Sequence, residues 1–214
     1  MKAKLFPLPL ALFTLLAFST SRANLITFDD ISTDYMEPSG EVKGTEAVIT
    51  NGYNNLNWVN FYVDNVPRIT GMDETNGYYY GMISISNVAF NGSGTAAEID
   101  SAGTDFDFQS AYLTGAWNSN LSIEVEGFRS GVLQYDTTVV AGATNSTLFT
   151  FDYIDIDRLV FNSFGGDDAG FPNGGGENFA MDNLNFDLIP EPSSLLLATG
   201  GALLLWPLLK RKRA

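Results

Sequence analysis

The chain has 214 residues, with 25 Asp and Glu against 11 Lys and Arg, a net charge of −14, and neither cysteine nor histidine. Lack of cysteine excludes disulfides, thiolate metal sites and thiol nucleophiles; lack of histidine excludes Ser-His-Asp and Cys-His mechanisms and imidazole ligands for zinc. Carboxylate chemistry and hard cations remain, and the acidic balance disfavours nucleic acid and other polyanions as partners.

The chain opens on Lys2 and Lys4, continues through a mostly apolar run over 5–18, and reaches Ser19-Thr20-Ser21-Arg22-Ala23. A charged start, an apolar stretch too short to span a bilayer and small residues at Ser21 and Ala23 predict a secretory signal peptide over 1–23, cut after Ala23 by signal peptidase. Pro7 and Pro9 would interrupt the alternative, a buried N-terminal helix.

The segment 24–189 is long enough for one domain with its own core. It holds 24 of the 25 acids but only Lys43, Arg68, Arg129 and Arg158 as cations, a net of −20. Short apolar-alternating runs separated by Gly, Asn, Asp and Ser predict strands over 25–31, 47–50, 56–63, 82–89, 104–113, 121–126, 132–140, 147–153, 156–161 and 179–188. In the clearest, Leu121, Ile123 and Val125 alternate with Ser122, Glu124 and Glu126. Phe106 and Phe108 alternate with Asp105, Asp107 and Gln109, and Phe149, Phe151 and Tyr153 with Thr150 and Asp152. Helical periodicity is almost absent, so the expected fold is all-β: an antiparallel two-sheet, jelly-roll-like sandwich. The glycine-rich stretch 165–177, with Asp167 and Asp168, reads as a mobile surface loop before the last strand.

At the far end come Pro190-Glu191-Pro192, an apolar run to Leu209 and the cluster Lys210-Arg211-Lys212-Arg213. The 17 residues 193–209 are at the lower limit for a transmembrane helix, and the cations beyond them belong on the cytoplasmic side, which turns the body outward. The proline-flanked triplet, Leu-rich helix and basic end, together with an N-terminal signal peptide, resemble the PEP-CTERM sorting signal, here over 190–214. That resemblance implies export in a Gram-negative bacterium, transient anchoring in the inner membrane, processing by an exosortase, and a final place at the cell surface or in the extracellular matrix, in a structural or adhesive role linked to exopolysaccharide. Trp206-Pro207 near the helix end departs from the usual pattern.

The body resembles galactose-binding-like jelly rolls of the carbohydrate-binding-module type, through Ile26-Thr27-Phe28-Asp29-Asp30, the run from Leu56 to Val63 around Trp58, Ala116-Trp117-Asn118 and the closing Phe179-Ala180-Met181-Asp182-Asn183-Leu184. In such folds the first and last strands lie together, and the resemblance implies one structural Ca²⁺ shared by Asp29, Asp30 and Asp182. In the alternative without metal, Asp29 and Asp30 cap a turn and Asp182 accepts backbone donors. Trp58, Tyr62, Trp117 and Asn118, with Tyr78-Tyr79-Tyr80, are candidates for sugar binding, since a ring stacks on a pyranose face while amides take hydroxyls; the competing role is core packing. Among so many acids a glycosidase-like pair could arise by chance, so no catalytic residue is assigned and no enzyme is expected.

Overall fold

The computed structural model describes residues 24–36, 39, 42–69, 75–101, 103–172 and 174–189. The expected signal peptide, and the sorting motif Pro190, Glu191 and Pro192 with the helix after it, lie outside the described residues. Among those described, no helix is long and apolar enough to cross a membrane.

The strands in chain order are β1 (Asn24–Ile26), β2 (Tyr35–Met36), β3 (Val42–Lys43), β4 (Glu46–Val48), β5 (Asn57–Val59), β6 (Phe61–Asn65), β7 (Asn87–Asn91), β8 (Ala97–Asp100), β9 (Phe106–Gly115), β10 (Asn118–Ser119), β11 (Leu121–Arg129), β12 (Val132–Ala141), β13 (Thr147–Ile156), β14 (Arg158–Phe164), β15 (Asp167–Asp168) and β16 (Phe179–Leu188). Two short helices, α1 (Val66–Ile69) and α2 (Gly77–Gly81), stand between β6 and β7. A seven-stranded antiparallel sheet runs β13-β9-β16-β7-β6-β4, with β1 also paired to β16, and a five-stranded sheet runs β12-β11-β14-β8-β5. The chain crosses between these sheets repeatedly, at β4 to β5, β5 to β6, β7 to β8, β8 to β9, β12 to β13 and β13 to β14. The expected all-β sandwich is the fold that forms.

The alternating patterns give the reason. Leu121, Ile123 and Val125 of β11 are buried while Ser122, Glu124 and Glu126 are not, as Phe106 and Phe108 of β9 are buried while Asp107 is not. These side chains meet across the two sheets, with Phe61 of β6 edge-on to Phe161 of β14 at 5.8 Å and Phe108 edge-on to the same ring at 6.1 Å. Edge-to-face rings add to the burial of their area.

Three expectations need correcting. The run 56–63 is two strands in different sheets: Asn60 turns the corner with φ 58°, and its amide donates to Gly92 O, Thr95 Oγ1 and Ala96 O. A short polar residue tolerates the left-handed conformation that such a corner requires. Residues 82–86 are irregular, and the strand there begins only at Asn87. The loop 165–177 is anchored, since β15 pairs with β10, Ala169 N donates to Trp117 O at 2.9 Å, and Asn118 Nδ2 donates to Gly165 O at 2.8 Å.

The first and last strands do lie together. Asn24 pairs with Phe186 and Ile26 with Leu184, so both ends of the described domain leave at one end of the sandwich. The other end of β16, at Phe179, lies about 30 Å away for ten residues at roughly 3.3 Å each.

Candidate binding face

The seven-stranded sheet is covered on both faces over its strands β16, β7 and β6. Phe61, Val63, Ala89 and Met181 point into the sandwich core, while Tyr62, Val88, Phe90 and Ala180 belong to a second apolar cluster on the outside, completed by Val66, Tyr78 and Ala116. Period-two alternation places these sets on opposite sides. α2 covers the outer cluster. Its glycines allow the close approach: a Cβ at Gly77 would lie 1.9 Å from Gly115 O, and one at Gly81 would lie 2.8 Å from the Ala180 methyl. Asn76 caps the helix, accepting from Tyr79 N at 3.2 Å, and Gly77 N donates to Ala116 O.

Once seated, α2 strings aromatic rings along this face. Tyr62 stacks on Phe90 at 5.6 Å, Tyr78 meets Phe90 edge-on at 5.4 Å, and Tyr78 meets Trp117 edge-on at 5.7 Å. On the solvent side Tyr79 is edge-on to Tyr80 at 5.4 Å, and Tyr80 stacks with Phe171 of the glycine-rich loop at 6.4 Å. Tyr79 is 43% exposed, and Tyr80, Phe171, Tyr62 and Trp117 are half-buried. Gly174 lies against the Trp117 ring, which a Cβ there would strike at 2.1 Å. Trp117, Tyr80 and Phe171 stand at the Phe179 end of β16, away from the chain ends: Phe179 pairs with Gly115, and Ala116 N donates to Asn178 O.

The sugar candidates therefore separate. Tyr62 and Trp117 share the outer cluster, and Asn118, half-buried, continues from Trp117 into the β10–β15 ladder. Trp58 does not join them. It is 4% exposed inside the sandwich, edge-on to Phe28 and Phe61, with Nε1 donating to Tyr53 O, so it is a core residue with no face free for a sugar. Phe90, Phe171 and the two close-approach glycines carry no sequence signal that marks them as parts of this face.

The calcium candidates each have a protein partner. Asp182 is fully buried; its Oδ2 accepts from Ile83 N and Ser84 N, both at 2.7 Å, and its Oδ1 from Asn183 N at 2.7 Å and Ser84 Oγ at 3.0 Å. Asp29 accepts from Asn87 N and Asp30 from the Tyr53 hydroxyl. Among the described residues no three acidic groups come together as a metal site. Donors aimed at both oxygens of Asp182 fit the metal-free alternative. Burial pushes the Asp182 carboxyl up to about 6 even though backbone donors hold it down.

Asp64 is different. It lies on the outer face of β6, two residues beyond Tyr62, is 7% exposed, and accepts no hydrogen bond among the described residues. Glu46 of β4 is its register partner. Burial first, and then the Glu46 charge, push the Asp64 carboxyl up to about 7. The Tyr78 phenol is also pushed up, chiefly by burial and next by Asp64.

No family model matches the chain, and no curated protein matches it. Among solved structures it is similar to the family 32 carbohydrate-binding module from C. perfringens NanJ in complex with galactose, at 14% identity over 66% of this chain and 98% of that one, with a TM-score of 0.35. It is also similar to TmCBM61 in complex with β-1,4-galactotriose, at 10% identity over 64% and 88%, TM-score 0.35. A mutant of CBM29-2, a family 29 carbohydrate-binding module, is similar at 11% identity over 78% and 92%, TM-score 0.34. At such scores these likenesses carry no inference about what this chain binds, which has to rest on its own residues.

Proposed function

We propose that this is an exported, non-catalytic protein of the cell envelope or extracellular matrix that binds polysaccharide through the aromatic face built around α2. The observation that carries the reading is the row of partly exposed rings, Tyr79, Tyr80, Phe171 and Trp117, set among amides on an acidic surface at the end of the sandwich away from both chain ends. Ring faces stack on the apolar faces of pyranoses, and amides and carboxylates accept hydroxyl protons. A body of net charge −20 favours neutral or basic glycans over anionic ones.

The tail supplies the address. Pro190-Glu191-Pro192, the apolar run and the basic end, read with the N-terminal segment, support handling by signal peptidase and exosortase, passage through the inner membrane and display at the surface. Because residues 24 and 188 leave at one end, an anchored domain would hold the ring-bearing end away from the membrane. A structural or adhesive role follows from a surface-held polysaccharide binder.

Affinity electrophoresis of the chain in gels containing the host's own exopolysaccharide tests the binding. Retardation that Tyr79→Ala and Phe171→Ala abolish, with unfolding unchanged, is the expected result; equal mobility with and without polysaccharide sinks the reading. Deleting 190–214 and following localisation tests the address, where undiminished surface retention would overturn it.

A further inference from the structure

We propose that the aromatic face carries a subsite for a protonated amine, formed by Asp64 and Glu46 beside Tyr62 and Tyr78, so that the preferred polysaccharide contains amino sugars with free amino groups. This rests on the glycan-binding reading above and adds the class of sugar.

A carboxyl group that is nine-tenths buried normally has donors on its oxygens, because desolvation without compensation is costly. Asp182, on the same face, accepts from four donor groups, whereas Asp64 accepts from none among the described residues. Asp64 is not among the fully buried unpartnered oxygens, so its carboxyl group reaches solvent and is open to a donor from outside the fold.

Its surroundings select the kind of donor. In the β4–β6 pair, Asn65 N donates to Thr45 O and Ile49 N to Phe61 O. Asp64 and Glu46 therefore form a non-hydrogen-bonded pair, in which facing Cα atoms approach to about 4.5 Å and side chains crowd together. Two carboxyl groups at this spacing repel one another, and a cation between them relieves the repulsion where a hydroxyl does not. Tyr62 shares this side of β6 with Asp64 and stacks on Phe90, which Tyr78 meets edge-on, so the pair borders an aromatic layer of the kind that favours cations. A metal ion fits poorly: Ca²⁺ takes six to eight oxygens, and among the described residues no third acid joins the pair. An ammonium group, with three donors and one charge, matches two facing carboxyl groups.

Isothermal titration calorimetry of the full chain with a glucosamine tetramer and an N-acetylglucosamine tetramer tests this. The amine form is expected to bind at least about tenfold more tightly. Asp64→Asn should remove that preference and leave binding of the acetylated form unchanged; it also deletes a buried charge, so the fold should persist. Glu46→Gln, at an exposed position, should remove part of the preference. Equal affinity for both oligomers, or a preference that survives in Asp64→Asn, overturns the amine subsite alone. Failure to bind either oligomer or the host polysaccharide overturns the glycan-binding reading with it.

Discussion

The two faces of the seven-stranded sheet are both lined with aromatic side chains, yet they handle polarity in opposite ways. Toward the sandwich, Phe61, Phe108 and Met181 pack with no charged group among them. On the outside, α2 closes over Tyr62 and Phe90 but leaves two carboxyl groups in the same layer, Asp182 fully supplied with donors and Asp64 with none. An interior built only for stability has no need of the second arrangement, because a buried carboxyl group without donors costs free energy at neutral pH. The inner face holds the fold together, while the outer face keeps a carboxyl group whose ionisation opposes folding at neutral pH.

The largest test of this contrast lies in the core. Phe161→Ala removes the ring that meets both Phe61 and Phe108 and should cost about 3–5 kcal/mol, read as a lower denaturation midpoint. Next comes Asp182→Ala, which strands the N–H groups of Ile83, Ser84 and Asn183 and should cost on the order of 3 kcal/mol. A loss below about 0.5 kcal/mol would show that water replaces the carboxylate and that this network is not structural.

Asp64 should behave with the opposite sign. Its carboxyl titrates higher in the folded chain, near 7, than in the unfolded one, so the folded state holds the extra proton. The favourable contribution is complete below the unfolded value of about 3.9 and is lost as pH rises through about 7. Asp64→Asn should therefore stabilise the protein by up to about 4 kcal/mol at pH 8 and change little near pH 4. Thermal unfolding at the two pH values decides this, and a destabilised variant at pH 8 would mean that the carboxylate has a partner after all.

Much of the sandwich was legible because alternation is a local signal: β9, β11 and β13 could each be read from which residues recur at every second position. The break in the run 56–63 was also written in the sequence, as a change of parity, since Leu56 and Trp58 point inward on even positions and Phe61 and Val63 on odd ones. α2 was not legible. Its Gly-Tyr-Tyr-Tyr-Gly sequence has poor helix propensity and forms through packing against β9 and β16, which no local pattern reports. The same limit applies to the aromatic candidates: Tyr62 and Trp117 lie on the outer face and Trp58 in the core, because an aromatic residue on a strand carries no mark of which face will be covered. Asp64 passed unnoticed because an acid in Val-Asp-Asn-Val reads as solvent-facing until β4, β7 and α2 surround it.

The smallest expected effects concern the exposed rings and the calcium positions. Tyr79→Ala should leave stability within about 0.5 kcal/mol of the parent, since the ring is 43% exposed and its neighbour Tyr80 keeps the stack with Phe171. Any loss of polysaccharide retention by that variant is then a loss of contact and not of fold. Asp29 and Asp30 each accept one donor, from Asn87 and Tyr53, while both oxygens of Asp182 are engaged by Ile83, Ser84 and Asn183, so a cation shared by all three would have to displace donors of Asp182. A ligand bound only to the folded state raises stability with its concentration, by about 2.7 kcal/mol at a hundred times the dissociation constant. Calorimetric melting in millimolar Ca²⁺ and in excess chelator should accordingly give the same temperature. A higher melting point in Ca²⁺ that disappears in Asp29→Asn would return the junction of β1 and β16 to the list of binding sites and leave the aromatic face to act alone on sugar.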